Sequence, residues 1–439
     1  MPTVPASLFA VLELVRGNFT APTFRTFTAL VTGLIAQTGR CTVTGMLTGV
    51  GLTRAWSHDR AHAFFSRAPW SPDILGISLS HLIVRHLLPA GAVLTVAVDD
   101  TLFKRRGKKV FGAAWQHDGA ATGPTPVGRG TCFVVIGLVI ELPFLARPVC
   151  LPVMARLWRP KQELSKVDIA ASMLRLLAAC HWDRRIHVVA DAAYHGKALR
   201  NLPATCTFTT RLPAGAVLYD LAPPRTGKRG RPALKGTRLG TPGELAATLA
   251  FTSFQVTRYQ RTETVHLAEV TCLWYGSFHT QTVRLIWLRD DDTNTGYDLA
   301  LVTTDLITPA PALVTRYAWR WSIEVTFAEA RDLLGVGQAR NRTRAAVERT
   351  VPFGLYCYTI TVVWYALHGH HPSDAADHRE RAPWYTTKTD PSLSDMVAKL
   401  RRTIIAARFL SNRPGQPTDQ EIRAVQQAWA AASLGTTAA

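Results

Sequence analysis

Apolar and polar residues alternate through "AVLTVAVD" (92–99), and that period of two predicts a β-strand. "KVFGAAWQHDG" (109–119), "TCFVVIGLVIEL" (131–142) and "FLARPVCLPVMARLW" (144–158) read as further strands. "KQELSKVDIAASMLRLLAACHW" (161–182) changes to helical periodicity, and "RIHVVAD" (185–191) returns to a short buried strand. Several strands, a helix and a strand in that order predict an α/β core around a mixed sheet.

The flanking segments have other textures. Residues 1–90 read as helical, and "RCTVTGMLTGVGLTRAWSHDRAHAFFSRAPW" (40–70) has a helix-turn-helix pattern. Residues 205–305 hold strand-like runs, "SFQVTRYQ", "TVHLAEVTCLWY", "QTVRLIWLR" and "YDLALVTTDL", with no long helix among them. The basic "PPRTGKRGRPALKGTR" (223–238) is a loop or arm near their start. A helix is predicted over 311–335 and an apolar one over 351–367, then a polar linker over 369–391 and a basic helical tail. The expected organisation is a helical DNA-binding or dimerisation domain (1–90), a core in two parts (91–211 and 306–370), a β-rich insertion (212–305), and a C-terminal linker and tail (371–439).

Composition narrows the partner. The 439 residues carry a formal net charge of +19, which points to a polyanion, nucleic acid first. The seven cysteines form no C-x-x-C pair, so neither a disulfide framework nor a zinc knuckle is expected, and a reducing cytoplasm fits. The start has no secretory pattern. The run at 351–367 is at the short limit for a membrane span and contains Pro352 and Gly354, so a buried helix is expected and no membrane partner.

The candidate chemistry lies at the ends of predicted elements. Asp99 and Asp100 end one strand and Asp191 another, where α/β sheets bind ligands. Carboxylates there suit divalent cations. The 311–335 helix offers Glu324, Glu329 and Asp332. At about 100° per residue, Tyr317, Arg320, Glu324 and Arg331 share an arc of about 60°, which Glu329 and Asp332 leave. A carboxylate among bases on one face is a salt-bridge ladder or a catalytic acid beside phosphate clamps, and spacing alone does not choose.

"VAVDDT", "VVADAAYHG" and "RYAWRWSIEVTFAEARDLLG" together resemble the three catalytic segments of bacterial insertion-sequence DDE transposases. The nearest branch is the insertion-sequence-four-like group, with Tyr-x2-Arg-x3-Glu-x6-Lys around its third acid. This chain has Tyr317, Arg320, Glu324 and, in place of Lys, Arg331. The resemblance spans 90–350 and implies a ribonuclease-H-like core interrupted by a β-rich insertion. It implies Asp99, selected by Thr101, with Asp191 and Glu324 as catalytic metal ligands for two Mg²⁺ ions, Mn²⁺ substituting. It further implies that Tyr317, Arg320 and Arg331 hold phosphates. By strand alternation Asp100 turns to the opposite side, with Lys104 or Arg105 as its expected partner.

The basic segments extend this reading. "KRRGKK" supplies Lys104, Arg105, Arg106, Lys108 and Lys109 close to Asp99, and "ARNRTRAAVER" (339–349) supplies Arg340 and Arg342. Lys and Arg there are expected to neutralise DNA phosphates. "GKRGRP" (227–232) resembles the core of an AT-hook. Trp274 and Trp287 lie in apolar strands of the insertion, where core packing competes with stacking on a flipped base.

The function expected is Mg²⁺-dependent cleavage of double-stranded DNA at an element's terminal inverted repeats, followed by strand transfer into target DNA. A homodimer in the bacterial cytoplasm, at the nucleoid, would carry it out. The alternatives are a ribonuclease-H-fold nuclease without strand transfer and a catalytically silent DNA-binding descendant.

Overall fold

β1 (Leu94–Lys104) is the strand around which the site is built, and its apolar first half is buried on both faces. The computed structural model describes residues 4–119, 124, 126–224, 231–293 and 295–409. β3 (Val127–Ile140) pairs antiparallel with β1 on one side and with β4 (Val149–Trp158) on the other. The short β2 (Ala114–His117) pairs with the first residues of β3. α6 (Lys166–Cys180) opens on a capping box between Ser165 and Asp168 and leads into β5 (Ile186–Ala190). β5 and then β6 (Cys206–Arg211) run parallel to β1. The order β4-β3-β1-β5-β6, three antiparallel strands and then two parallel ones reached through a helix, is the expected ribonuclease-H-like core.

The strand-rich segment joins this same sheet. β12 (Leu299–Thr303) pairs with β6, and β11 (Val283–Asp290), β10 (Arg261–Cys272) and β9 (Thr252–Arg258) follow outward. β7 (Leu218–Tyr219) and β8 (Arg238–Gly240) form a separate ribbon. Among the described residues, two short helices stand between these strands, α7 (Pro242–Ala246) and α8 (Tyr275–Phe278).

Helices stand at both ends of the chain. α1 (Ala6–Glu13), α2 (Ala21–Ala36), α3 (Val43–Gly49), α4 (His58–Ser66) and α5 (Pro72–Leu87) precede the sheet. The helix expected over 311–335 is two helices, α9 (Ala310–Trp319) and α10 (Trp321–Leu334). The chain tightens at the joint, where the Arg320 N–H bonds Tyr317 O and the Ile323 N–H bonds Arg320 O. Gly335, at φ 58°, ends α10 in the left-handed region.

The apolar helix starts earlier than expected. α11 (Arg344–Trp364) takes in the basic 344–349 run, and its apolar part packs against α4, α5 and β4. It is long and apolar enough to cross a membrane, but 83% of its most apolar window is covered by the rest of the molecule. The polar linker expected over 369–391 contains a helix, α12 (Asp374–Arg381), and α13 (Leu393–Phe409) follows.

Candidate active site

Alternation along β1 sends its two aspartates to different faces. Asp99 turns toward α10, where Arg320 Nη1 lies 3.6 Å from Asp99 Oδ2 and 2.9 Å from Glu324 Oε1. One guanidinium therefore bridges the first and third candidate acids. Asp100 turns away, to Lys166 Nζ at 2.5 Å, the Tyr194 hydroxyl at 3.1 Å and the Cys132 thiol at 3.2 Å.

The expected partners of Asp100 are corrected here. Lys104 pairs with Asp118 at 3.1 Å. Arg105 donates to the carbonyls of Gly337, Ala339 and Asn341. The reason is the length of β1: four extended residues carry Lys104 about 13 Å beyond Asp100. Lys166, at the start of α6, sits beneath it instead.

Asp191 follows directly on Ala190, which pairs in parallel with Val98, so Asp191 stands level with Asp99. The expectation that Asp99 and Asp100 end their strand is corrected: pairing with β3 carries β1 on to Lys104, and only Asp191 sits at a strand end. The turn that carries Asp191 is fixed through its carbonyl, which accepts from Thr210 Oγ1 at 2.7 Å and the Tyr194 N–H at 2.9 Å. Tyr194 then reaches Asp100, so the second segment is fastened to the first. The Arg320 guanidinium lies 5.9 Å from the centre of the Tyr317 ring. Burial raises its hydroxyl pKa, Arg320 opposes the shift, and the Asp191 charge adds to it.

Burial also pushes the Asp99 carboxyl up to about 7. The Asp100 N–H, 2.7 Å from Asp99 Oδ1, and Arg320 oppose that shift, while the charges of Asp100 and Glu324 reinforce it. Glu329, on the same helix as Glu324, is engaged elsewhere, with Arg147 at 3.1 Å and Tyr358 at 2.9 Å.

Among the described residues no three His, Cys, Asp or Glu side chains stand close enough to share one ion. Between Asp99 and Glu324 lies the Arg320 guanidinium. The donor chemistry still suits a hard divalent cation: Asp99 on β1, Asp191 after β5 and Glu324 on α10 offer carboxylate oxygens only.

The basic residues divide by role. Arg331 donates to Thr101 Oγ1 and, at 3.4 Å, to Leu102 O, and its guanidinium lies 5.2 Å from the Phe103 ring centre. It lines the same face of β1 as Asp99. Arg105 is spent on protein carbonyls. It anchors the 104–109 turn to the 337–341 segment, and the Phe111 N–H adds a bond to Arg342 O at 3.0 Å. These ties bring Arg106, Lys108, Lys109, Arg340 and Arg342, all exposed, onto one surface. Trp287 is fully buried with its N–H on Pro242 O at 3.0 Å, and Trp274 packs against the His195 ring. Most of "GKRGRP", residues 227–230, lies outside the described residues.

Sequence reasoning missed Lys166, Tyr194 and Cys132. Tyr194 had a local signal, its place three residues after Asp191. Lys166 had none, because only the packing of α6 brings it under β1.

A family model described as DDE superfamily endonuclease matches residues 15–272, which contain Asp99 and Asp191 and end before Glu324. No curated protein matches the chain. The match covers more than half of the 439 residues, and the sheet carrying it has the ribonuclease-H order. The chain belongs to the DDE superfamily endonucleases, enzymes of the nuclease and transposase type that act on DNA with divalent metals.

Proposed function

We propose that this chain is a cut-and-paste transposase of the insertion-sequence-four-like group, acting at the terminal inverted repeats of its element as a homodimer. The observation that carries the reading is the Arg320 bridge between Asp99, in the middle of β1, and Glu324, at the level where β5 ends in Asp191. Two carboxylates joined by one guanidinium suit phosphoryl transfer, which asks for positioning and charge rather than covalent chemistry.

Asp99, Asp191 and Glu324 would hold the divalent ions, Mg²⁺ or Mn²⁺, whose charge would supply a lowered pKa for an attacking hydroxyl and compensation for a leaving oxygen. Arg320 and Tyr317 orient the scissile phosphate. Arg331 supports the neighbouring phosphate from the Thr101 side of β1. The exposed Arg106, Lys108, Lys109, Arg340 and Arg342 hold the flanking backbone by charge.

The test is incubation of a DNA fragment carrying the native element ends with the protein and Mg²⁺ or Mn²⁺. Metal-dependent nicking at the ends, and joined products with a target plasmid, are expected. Asp99→Asn, Asp191→Asn and Glu324→Gln should each abolish both. Nicking without joined products would reduce the reading to a nuclease, and full activity of Asp99→Asn would overturn the site.

A further inference from the structure

The helix that carries Glu324 has a second face with a cavity behind it. Ser322, Val325, Thr326 and Glu329 recur at helical spacing on α10, roughly opposite Glu324 and Arg331 at about 100° per residue. They line a cavity of about 350 Å³, together with the β3–β4 loop, the β9–β10 turn, the joint between α9 and α10 and the start of α13. That volume lies in the range of sites for small organic ligands, about 300–1,000 Å³.

The lining is apolar at Leu145, Val325, Val362 and Met396, and the rings of Tyr259, Trp319 and Trp321 stand around it. Tyr259 is 66% exposed and Trp321 49%. Among the described residues none of these three rings has a contact with another ring or with a cation. The turn that carries Tyr259 is strained. Arg258 pairs with Arg261, so Tyr259 and Gln260 alone make the turn, and both have positive φ, 49° and 69°. Asn-Gly adopts this hairpin geometry at little cost, and a tyrosine does not. The fold gains little from a ring so exposed, so the strain points to a task at the mouth of the cavity.

Charge selects the ligand. The lining holds two acids, Glu141 and Glu329, and one base, Arg147, in a chain with 50 Lys and Arg against 31 Asp and Glu. Glu329 accepts from Arg147 and from the Tyr358 hydroxyl. Burial raises its pKa against both partners, so the carboxylate remains short of positive charge. A nucleic-acid strand, itself an anion, gains nothing there. A cation gains the half-buried carboxylate and the faces of the rings.

We propose that this cavity binds a small organic amine, with its ammonium or quaternary nitrogen near Glu329 and its apolar body among Tyr259, Trp319 and Trp321. The site lies behind the helix that carries Glu324 and needs no DNA to form.

The experiment is a saturation-transfer NMR titration of the full chain with phenethylammonium, and with 3-phenylpropionate, an anion of nearly the same size. The amine should bind with a Kd of about 1 mM or tighter, and the anion at least about tenfold more weakly. Trp321→Ala, at an exposed position, should weaken the amine about 3- to 10-fold. Tyr259→Gly removes the strain along with the ring: its urea midpoint should hold or rise, while the amine binds about 3- to 10-fold more weakly. Glu329→Gln should weaken the amine about tenfold or more, and should that variant not fold, the two surface variants decide. No saturable binding of the amine by wild type, equal binding of amine and anion, or equal binding of the amine by wild type and both surface variants overturns the proposal. A wild type that self-associates and is dissociated by the amine overturns it as well, since the occupant is then a basic side chain of a second copy.

Discussion

Lys166 Nζ stands 2.5 Å from Asp100 Oδ2, on the side of β1 that faces away from Glu324. With the Tyr194 hydroxyl and the Cys132 thiol on the same carboxylate, Asp100 has three protein donors. Asp99 faces α10 and meets one cation, Arg320, which it shares with Glu324. The adjacent pair thus separates into a carboxylate consumed by the fold and one turned to the candidate site.

Asp100→Asn and Asp99→Asn should therefore differ. The first leaves Lys166 half-buried without its counter-ion, for a loss of about 1–2 kcal/mol in urea denaturation after allowing for its partial exposure. Its nicking of element ends at saturating Mn²⁺ should stay within about tenfold of wild type, whereas Asp99→Asn should lose about 10³-fold or more. A stable Asp100→Asn protein with no activity, beside an active Asp99→Asn, would shift the site by one residue.

Arg105→Ala should loosen the basic surface rather than simply remove one charge from it. Arg105 donates to three carbonyls of the 337–341 segment. At about 1 kcal/mol per bond the loss is ~2–4 kcal/mol. Amide exchange at Phe111, whose N–H bonds Arg342 O, should quicken. Unchanged exchange there would mean that the turn and the segment hold together without Arg105.

Much of this arrangement was legible in the sequence because it is local. The alternation before Asp99 and the apolar runs of β3 and β5 follow from strand periodicity, and α6 from the helical spacing within 161–182. The joint at Arg320 was not legible: Arg is a good helix former, and the apolar spacing runs through it unbroken. α12 was hidden because its sequence has no apolar stripe. It is held by Tyr365 and Lys399 on Asp374 and by His378 on Asp395, from outside the helix. The antiparallel joining of β12 to β6, which makes the insertion part of the core sheet, depends on pairing across about 90 residues that no window registers.

Arg331→Lys tests the one departure from the Tyr-Arg-Glu-Lys pattern. Lys keeps the charge but has no planar fork to bond Thr101 Oγ1 and Leu102 O together, and it stacks less well on Phe103. A stability loss of about 1 kcal/mol is expected, with the salt slope of DNA binding unchanged. Arg331→Ala should make that slope shallower by about 0.9 as well. Equal slopes in all three proteins would make Arg331 a packing residue only.

His181 gives the pH dependence of folding a defined sign. It is buried, with Nε2 2.8 Å from Ser80 Oγ and its ring centre 4.3 Å from that of His81. Burial, and then the neighbouring His81, lower its pKa from 6.5 to about 4. Below 6.5 the unfolded chain takes up a proton that the folded chain refuses, so acid favours unfolding. This contribution is fully present above pH 6.5, falls away between 6.5 and 4, and is then flat. It amounts to about 3 kcal/mol at most, at ~1.4 kcal/mol per pKa unit. His187, also lowered by burial, adds in the same direction, so the comparison must be made at one site. Urea denaturation of wild type and His181→Gln at pH 7 and pH 4.5 makes it: the variant should be less stable at pH 7 and lose less on acidification. An equal loss in both proteins would place the acid sensitivity elsewhere in the fold.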